Sequence, residues 1–243
     1  IQANSVKLEH SNTVVPVREE SVPNNEFDNI SRYTLLIVED DDDLRKFLYN
    51  QLKRHYNIFK ATNGEEALDI LDSKHIDAIV TDIAMPVMDG LQLCKEVKSN
   101  LNYSHITIIL LTAKTNLQSK IEGLDAGADA YVEKPFSMEH MLAQLSNLLS
   151  NRNKLKEAFI NSPLVKIRSI APTKADENFL KEVTEVIHKN ISDTQFNVDT
   201  LASSLNMSRS SLHRKIKGVS ELTPNELILL VKLKKAAEYI QEG

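Results

Sequence analysis

Apolar and polar positions alternate along the chain in two rhythms, and the change of rhythm divides it. Short apolar runs recur at residues 35–38, 58–61, 78–81, 106–111 and 130–132. Each is short and bounded by turn residues (Met85-Pro86 and Asp89-Gly90 follow the third), so each reads as a buried strand. Between them the period lengthens to that of helices. Asp41, Asp42 and Asp43 supply acids to the first turn of one helix, where they suit the positive end of the dipole. Asn63 and Glu66 form a capping pair for the next. Residues 91–97 follow the Asp89-Gly90 turn, and Thr115 and Gln118 box the start of a helix carrying Leu117, Ile121 and Leu124. Met138, Met141, Leu142, Leu145, Leu148 and Leu149 make the apolar face of the last. Five strand–helix units in succession predict an α/β fold, a doubly wound five-stranded parallel sheet with helices on both faces.

From residue 176 onward only the helical rhythm remains, which predicts a smaller all-α domain. Asp176 opens a helix with Phe179, Leu180, Val183, Val186 and Ile187 on one face. Residues 197–218, NVDTLASSLNMSRSSLHRKIKG, hold two short amphipathic helices with a tight turn near Asn206 and Met207. Leu201, Ala202 and Leu205 face inward from the first, Leu212 and Ile216 from the second. Ser208 caps the second helix, which puts Arg209, Ser210, His213 and Arg214 on its outer face near the N-terminus. A helix-turn-helix holds residues against base edges at that place; Arg can contact guanine bidentately, and Ser or His can read a base or a phosphate. Helix pairs of this kind are common, so the periodicity alone leaves the assignment open. Thr223 as N-cap, Pro224 at the first position and Glu226 closing the box start a long final helix.

The polar residues that end the strands carry the chemistry. The first strand runs into Glu39 and Asp40, the third into Asp82, the fourth into Thr112 and the fifth into Lys134, stopped by Pro135. In a parallel sheet these ends share one edge, where open α/β sheets place their ligands. Singly each has an ordinary explanation: Asp82 as a turn aspartate, the acidic run 39–43 as a solvated face. Their joint placement does not. Gathered carboxylate oxygens suit Mg²⁺, and Lys134 adds a compact charge that persists at neutral pH.

On this order of residues (the acidic pair Glu39 and Asp40, then Asp82, Thr112 and Lys134-Pro135, at comparable spacing) residues 29 to about 149 resemble a response-regulator receiver domain, which has a flavodoxin-like fold. The resemblance implies that Asp82 accepts a phosphoryl group from the phosphohistidine of a histidine kinase. It implies Mg²⁺ held by Glu39, Asp40, Asp82 and the backbone carbonyl of Ala84. Thr112 would bond the phosphoryl oxygen, Lys134 would pair with it and with the free carboxylate, and Tyr131 matches the aromatic that turns inward on activation. Glu39 stands where Asp is commoner; Glu also occurs in the family. Phosphatases of the haloacid-dehalogenase type also phosphorylate a strand-end aspartate, but they carry a second Asp two residues later, where this chain has Ala84. The resemblance therefore implies a switch with slow self-catalysed chemistry rather than a metabolic enzyme.

Length and charge support two domains. The chain has 243 residues; residues 1–150 carry a net −9 and residues 151–243 a net +4 of the total −5. The mild basicity of the second half permits nucleic acid without demanding it. Residues 1–30 read as a linker or disordered arm, 31–150 as the receiver domain, 151–175 as a second linker containing SPLVKIRSIAPTK, and 176–243 as the helical domain. The single Cys94 lies among core-spaced residues and is expected to be reduced and buried, which excludes an intrachain disulfide. The longest apolar run, 106–111, is far too short to span a membrane, and no signal peptide is visible. The chain begins at Ile1 without an initiator Met, so a fragment of a longer protein is expected.

Residues 176–243 resemble the first half of an AraC-type DNA-binding domain, with LASSLNMSRSSLHRKIKG as its helix-turn-helix and SELTPNELILLVKLKKAAEYI as the long helix that joins that family's two reading units. The order of receiver, SPL-containing linker and AraC-type domain resembles the C-terminal end of hybrid two-component regulators, in which a membrane-anchored sensor kinase precedes the receiver in the same polypeptide. Ending at Gly243, the sequence holds one of the two reading units, and fewer phosphate contacts lower the expected affinity. The expectation is a bacterial, cytoplasmic, phosphorylation-controlled DNA-binding protein, homodimeric when phosphorylated, with a histidine kinase as donor, promoter DNA as partner and a parent anchored in the inner membrane. The alternative is a signalling adaptor whose C-terminal helices bind protein, favoured by the modest positive charge. A kinase catalytic fragment finds no support: six Gly form no nucleotide-binding loop, and the seven His lie in no phospho-acceptor motif.

Overall fold

A computed structural model describes residues 33–113, 125–162 and 167–242. Strands β1 (Thr34–Val38), β2 (Asn57–Ala61), β3 (Ala78–Asp82), β4 (Thr107–Ala113) and β5 (Ala130–Lys134) form one sheet in the order β2-β1-β3-β4-β5, every pair parallel. Val38 lies level with Ala61 and Thr81, Asp82 with Leu111, and Ala113 with Lys134. All five C-terminal ends therefore meet one edge, as the apolar rhythm predicts.

The helices follow from the two-residue period of the strands. Leu36, Val38, Ile79, Ile108 and Leu110 face one way, against Ala67 and Leu71 of α2 (Gly64–Ser73) and Leu93, Cys94 and Val97 of α3 (Gly90–Ser99). Leu35, Ile37, Val80, Ile109 and Leu111 face the other way, against Leu48 and Leu52 of α1 (Asp42–Leu52) and Met141, Leu145 and Leu149 of α4 (Met138–Asn161). A sheet covered on both faces needs strands that are apolar throughout, which leaves only their ends free for polar groups. Cys94 is fully buried, as expected, and burial pushes its thiol up to about 11. Asp41 caps α1, its carboxylate accepting the Leu44 N–H at 2.7 Å. Asn63 caps α2 by accepting the Glu66 N–H, but Glu66 reaches one residue further back than a capping box requires, to the N–H and hydroxyl of Thr62 at 2.7 Å. The expected arm at 1–30 and the helix with Thr115, Leu117, Gln118, Ile121 and Leu124 lie outside the described residues.

The structure departs from expectation after residue 150. α4 continues to Asn161, through the stretch expected to begin the second linker. The reason is a change of partner along one helix: Met141, Leu145 and Leu149 pack on the sheet, whereas Phe159 is fully buried in the core of the helical domain. A short 3₁₀ helix (Ile167–Ile170) precedes α5 (Lys174–Lys189). α5 begins two residues before Asp176, because Thr173 is its N-cap and accepts the Asp176 N–H at 3.1 Å. Asp176 is therefore no terminus but a fully buried carboxylate paired with Lys215.

α6 (Val198–Ser204) and α7 (Arg209–Ser220) flank the expected tight turn, in which Asn206 adopts φ 54°, a left-handed conformation that Asn tolerates. Ser208 caps α7. The Thr223–Glu226 box caps α8 (Pro224–Glu242), with Glu226 bonded to the Thr223 N–H at 2.7 Å. Phe179, Leu180, Val183, Ile187, Leu201, Leu212 and Ile216 form the core, with Val186 and Leu205 partly covered. No helix among the described residues is long and apolar enough to cross a membrane.

The segment leading into β4 meets the helical domain. Ser104 is fully buried and its hydroxyl bonds both Asp176 Oδ1 (2.9 Å) and Lys215 Nζ (2.8 Å). Arg152 of α4 donates to Thr107 Oγ1 at 2.6 Å, and Lys156 pairs with Glu221 at 2.7 Å. The buried His105 ring lies where a Cβ on Gly218 would stand. Burial, followed by the charges of Lys215, Arg152, His75 and Lys156, holds the His105 imidazole well below its usual range.

Folded His105 thus stays neutral while the unfolded chain takes up a proton as pH falls through 6.5, so stability is full above that pH and is lost below it. Thermal unfolding between pH 7.5 and 5 is expected to show a larger acid-side fall in Tm for the natural chain than for His105→Gln; equal falls would count against it. His75, raised by its bond to Asp77, works in the opposite direction and is common to both proteins.

Candidate functional site at the C-terminal edge of the sheet

β1 delivers Glu39 and Asp40, β3 ends on Asp82, and β5 ends on Lys134. One carboxylate oxygen from each of the three acids falls within 4.8 Å of the others. Lys134 Nζ bonds Glu39 Oε2 at 3.0 Å and lies 3.1 Å from Asp82 Oδ1. Glu39 is buried and Asp40 exposed. Burial raises the Glu39 carboxyl; the Lys134 hydrogen bond works against this and the Asp82 charge adds to it. Burial would lower Lys134, but the hydrogen bonds and charges of Glu39 and Asp82 outweigh it and raise the ammonium pKa. Lys134 is therefore charged across the physiological range. Three hard oxygens gathered at one edge, one of them in water, are a donor set that fits Mg²⁺.

Two residues not singled out from sequence hold this geometry. Arg45 of α1 donates to the backbone carbonyls of Glu39 (2.6 Å) and Asp40 (3.2 Å) and pairs with Asp42 at 2.7 Å. It ties the acidic turn to the helix behind it. Gly90, first in α3, donates its N–H to the Ile83 carbonyl at 3.0 Å, and a Cβ there would run into the Asp82 carbonyl oxygen. In sequence Gly90 is the second half of a turn signal, and nothing in the pattern reveals this close approach. Arg45 carries no signal beyond standing one turn inside a helix.

Thr112 is buried near the end of β4 and donates its hydroxyl to the Ala113 carbonyl at 3.2 Å. Tyr131 lies on β5; its hydroxyl is buried without a hydrogen-bond partner among the described residues, and burial, then the nearby Cys94 and Asp125, pushes it up to about 12. Ala84 is exposed in the loop two residues past Asp82. The structure thus joins Glu39, Asp40, Asp82 and Lys134 in direct contact or near it, and sets Thr112, Tyr131 and Ala84 on the neighbouring strand ends and loop.

The second candidate set is placed unevenly on α7. Arg209, Ser210 and His213 are exposed, whereas Arg214 is half-buried beside the Tyr103 phenol, which itself bonds Asp72. Arg209 is held by both carboxylate oxygens of Asp199 on α6, each at 3.1 Å.

Gly90→Ala is expected to destabilise the protein by about 1–3 kcal/mol, the usual penalty of overpacking, and to weaken Mg²⁺ binding because the displaced backbone carries Asp82. Urea unfolding together with a Mg²⁺ titration tests both; unchanged values would show that the edge yields without cost.

Comparison with known proteins finds relatives for much of the chain. Residues 35–146 match the family described as "Response regulator receiver domain". The chain is 31% identical over 209 residues to the Pyropia yezoensis protein named "Probable transcriptional regulator ycf29", covering 80% of this chain and 94% of that one. It is 37% identical over 227 residues to "Histidine kinase P4" of Formosa agariphila, covering 93% of this chain and 17% of that protein. It is also 40% identical over 116 residues to "Response regulator MprA" of Mycolicibacterium vanbaalenii, covering 47% and 49% respectively. The chain therefore spans about half of MprA and a small part of the kinase. Among solved structures, the Vibrio cholerae chemotaxis response regulator CheY4 aligns over 49% of this chain and 98% of its own, at 31% identity and a TM-score of 0.46.

Proposed function

Since this chain belongs to the response regulators through its receiver domain, we propose that it is a phosphorylation switch in which Asp82 takes a phosphoryl group from a histidine kinase and the modified receiver controls DNA binding by the helical domain. The observation that carries the reading is the position of Lys134, bonded at once to Glu39 and close to Asp82 at the sheet edge. An ammonium held there neutralises charge where a phosphoryl group arrives.

Among the described residues, the donors that reach Asp82, the Ile83 N–H at 2.9 Å and Lys134, do so at Oδ1. That leaves Oδ2 to attack. Its lone pair forms the P–O bond as the P–N bond to the donor imidazole breaks, and the imidazole nitrogen keeps the electron pair and takes a proton. Phosphoryl transfer asks chiefly for alignment and charge neutralisation. Glu39, Asp40 and Asp82, with the Ala84 carbonyl, would hold Mg²⁺, which would supply charge neutralisation for the transfer. The acyl phosphate then presents new acceptor oxygens to the Thr112 hydroxyl.

Ser208-capped α7, with Arg209, Ser210 and His213 in the open, supports a helix-turn-helix reader of promoter DNA in the AraC manner. Likeness to a histidine kinase over nearly the whole chain supports a hybrid parent in which the donor is part of the same polypeptide. Phosphorylation would pair two such chains and so set the spacing of two readers. A second reading, a phospho-switched adaptor, is favoured by the exposed apolar stripe of α8, where Leu229, Leu233 and Ile240 share one face; there the helical domain binds protein.

Intact-mass analysis after incubation with acetyl phosphate and Mg²⁺ is expected to show one added phosphate. Asp82→Asn or removal of Mg²⁺ is expected to abolish it, and uptake that survived either change would refute the switch. For the reader, Arg209→Ala is expected to cost about 1–3 kcal/mol at one base position in selections from random duplexes. Absence of any enriched sequence would turn the assignment toward the adaptor.

A further inference from the structure

The phospho-acceptor edge and the helical domain lie at opposite ends of β4, which starts at Thr107 beside Arg152 and passes Thr112 near its end. A module that phosphorylation were to release would be joined by a free linker and a wet, exposed contact. Among the described residues, sheet and helical core are joined instead by a continuous helix and buried polar contacts. α4 passes without interruption from Leu149 on the sheet to Phe159 inside the helical core. Ser104, Asp176 and Lys215 are each fully buried, and they form a closed three-way contact across the boundary. Parting the two domains would strip Lys215 and Asp176 of the Ser104 hydroxyl, and it would break the Lys156–Glu221 contact if α4 stays with the sheet or the Arg152–Thr107 contact if α4 goes with the helical core. The fit is also steric: the His105 ring seats against Gly218 of α7, where any Cβ would overlap it.

We propose that the N-terminal edge of the sheet, centred on Ser104 and His105, is a constitutive docking surface for the helical domain, so that the two domains move as one body in the phosphorylated and unphosphorylated states alike. The output is then set by where a second chain pairs, not by release of the reader. Arg209, Ser210 and His213 remain exposed in the docked state, so docking does not cover the candidate reading face. The contrast between the two phosphorylation states rests on the Asp82 reading above; the docking itself does not.

Acylation of lysines by an amine-reactive ester, mapped by mass spectrometry, tests it on the intact chain. Lys215 is expected to label at least about 100-fold more slowly than the open Lys181, because labelling has to wait for a rare opening. Gly218→Ala, which favours the helix but collides with His105, is expected to bring Lys215 close to the Lys181 rate. Adding His105→Ala, which removes the ring, is expected to restore slow labelling. Beryllofluoride with Mg²⁺, its uptake followed by native mass, is expected to leave Lys215 slow. Fast labelling in the natural chain overturns the dock, and fast labelling only after beryllofluoride uptake overturns its constitutive character. If no uptake occurs, the Asp82 reading fails, and the natural chain and its variants still decide the dock.

Discussion

A parallel sheet buried on both faces tolerates polar side chains almost only at its ends, and the organisation of this protein follows from that restriction. Leu36 and Val38 turn toward α2 and α3 while Leu35 and Ile37 turn toward α1 and α4, so β1 has no interior position for an acid. Glu39 and Asp40 come immediately after it, as Asp82 comes at the end of β3 and Lys134 at the end of β5. The parallel register then converts three separate strand ends into one cluster. Charges that would be costly inside the sheet compensate one another at its rim, where water still reaches Asp40.

The rim depends on parts that touch no ligand. Arg45 holds two backbone carbonyls of the acidic turn, and Gly90 lets α3 begin against the carbonyl of Asp82. The cluster is preorganised in this way by a helix on either face of the sheet. Its alignment derives from packing, and its charge balance from the carboxylates and ammonium that the packing brings together.

The opposite rim has been given a different use. Ser104, His105 and Thr107 meet Asp176, Lys215, Gly218 and Arg152 there, and a buried ion pair is a poor source of net stability beside apolar packing. What it provides is a demand for one arrangement, since carboxylate, ammonium and hydroxyl are all satisfied only when the two domains sit in this register. Thr107 and Thr112, five residues apart on β4, are separated by roughly 17 Å of strand. The acidic rim and the contact with the helical domain therefore lie at the two ends of one strand.

Local pattern by itself determined the five strands, the receiver helices among the described residues, the Ser208 and Thr223 caps and the acids, hydroxyl and lysine at the strand ends, because each depends on the period of apolar residues or on a cap within four positions. It erred where one element serves two cores: residues 151–161 look like a polar connection, and only the presence of the helical core gives Phe159 a place to be buried and keeps α4 intact. It also took Asp176 for a helix opening and Arg214 for an outward residue. An acid near a helix start and a basic residue on an amphipathic helix look the same in sequence whether they face water or another domain. Ser104, His105, Lys215 and Gly218 gave no signal at all, since their partners lie between 39 and 113 residues away along the chain. Which polar residues become buried, and against what, was decided by tertiary structure alone, because desolvation is a property of the assembled surface and not of any short stretch of chain.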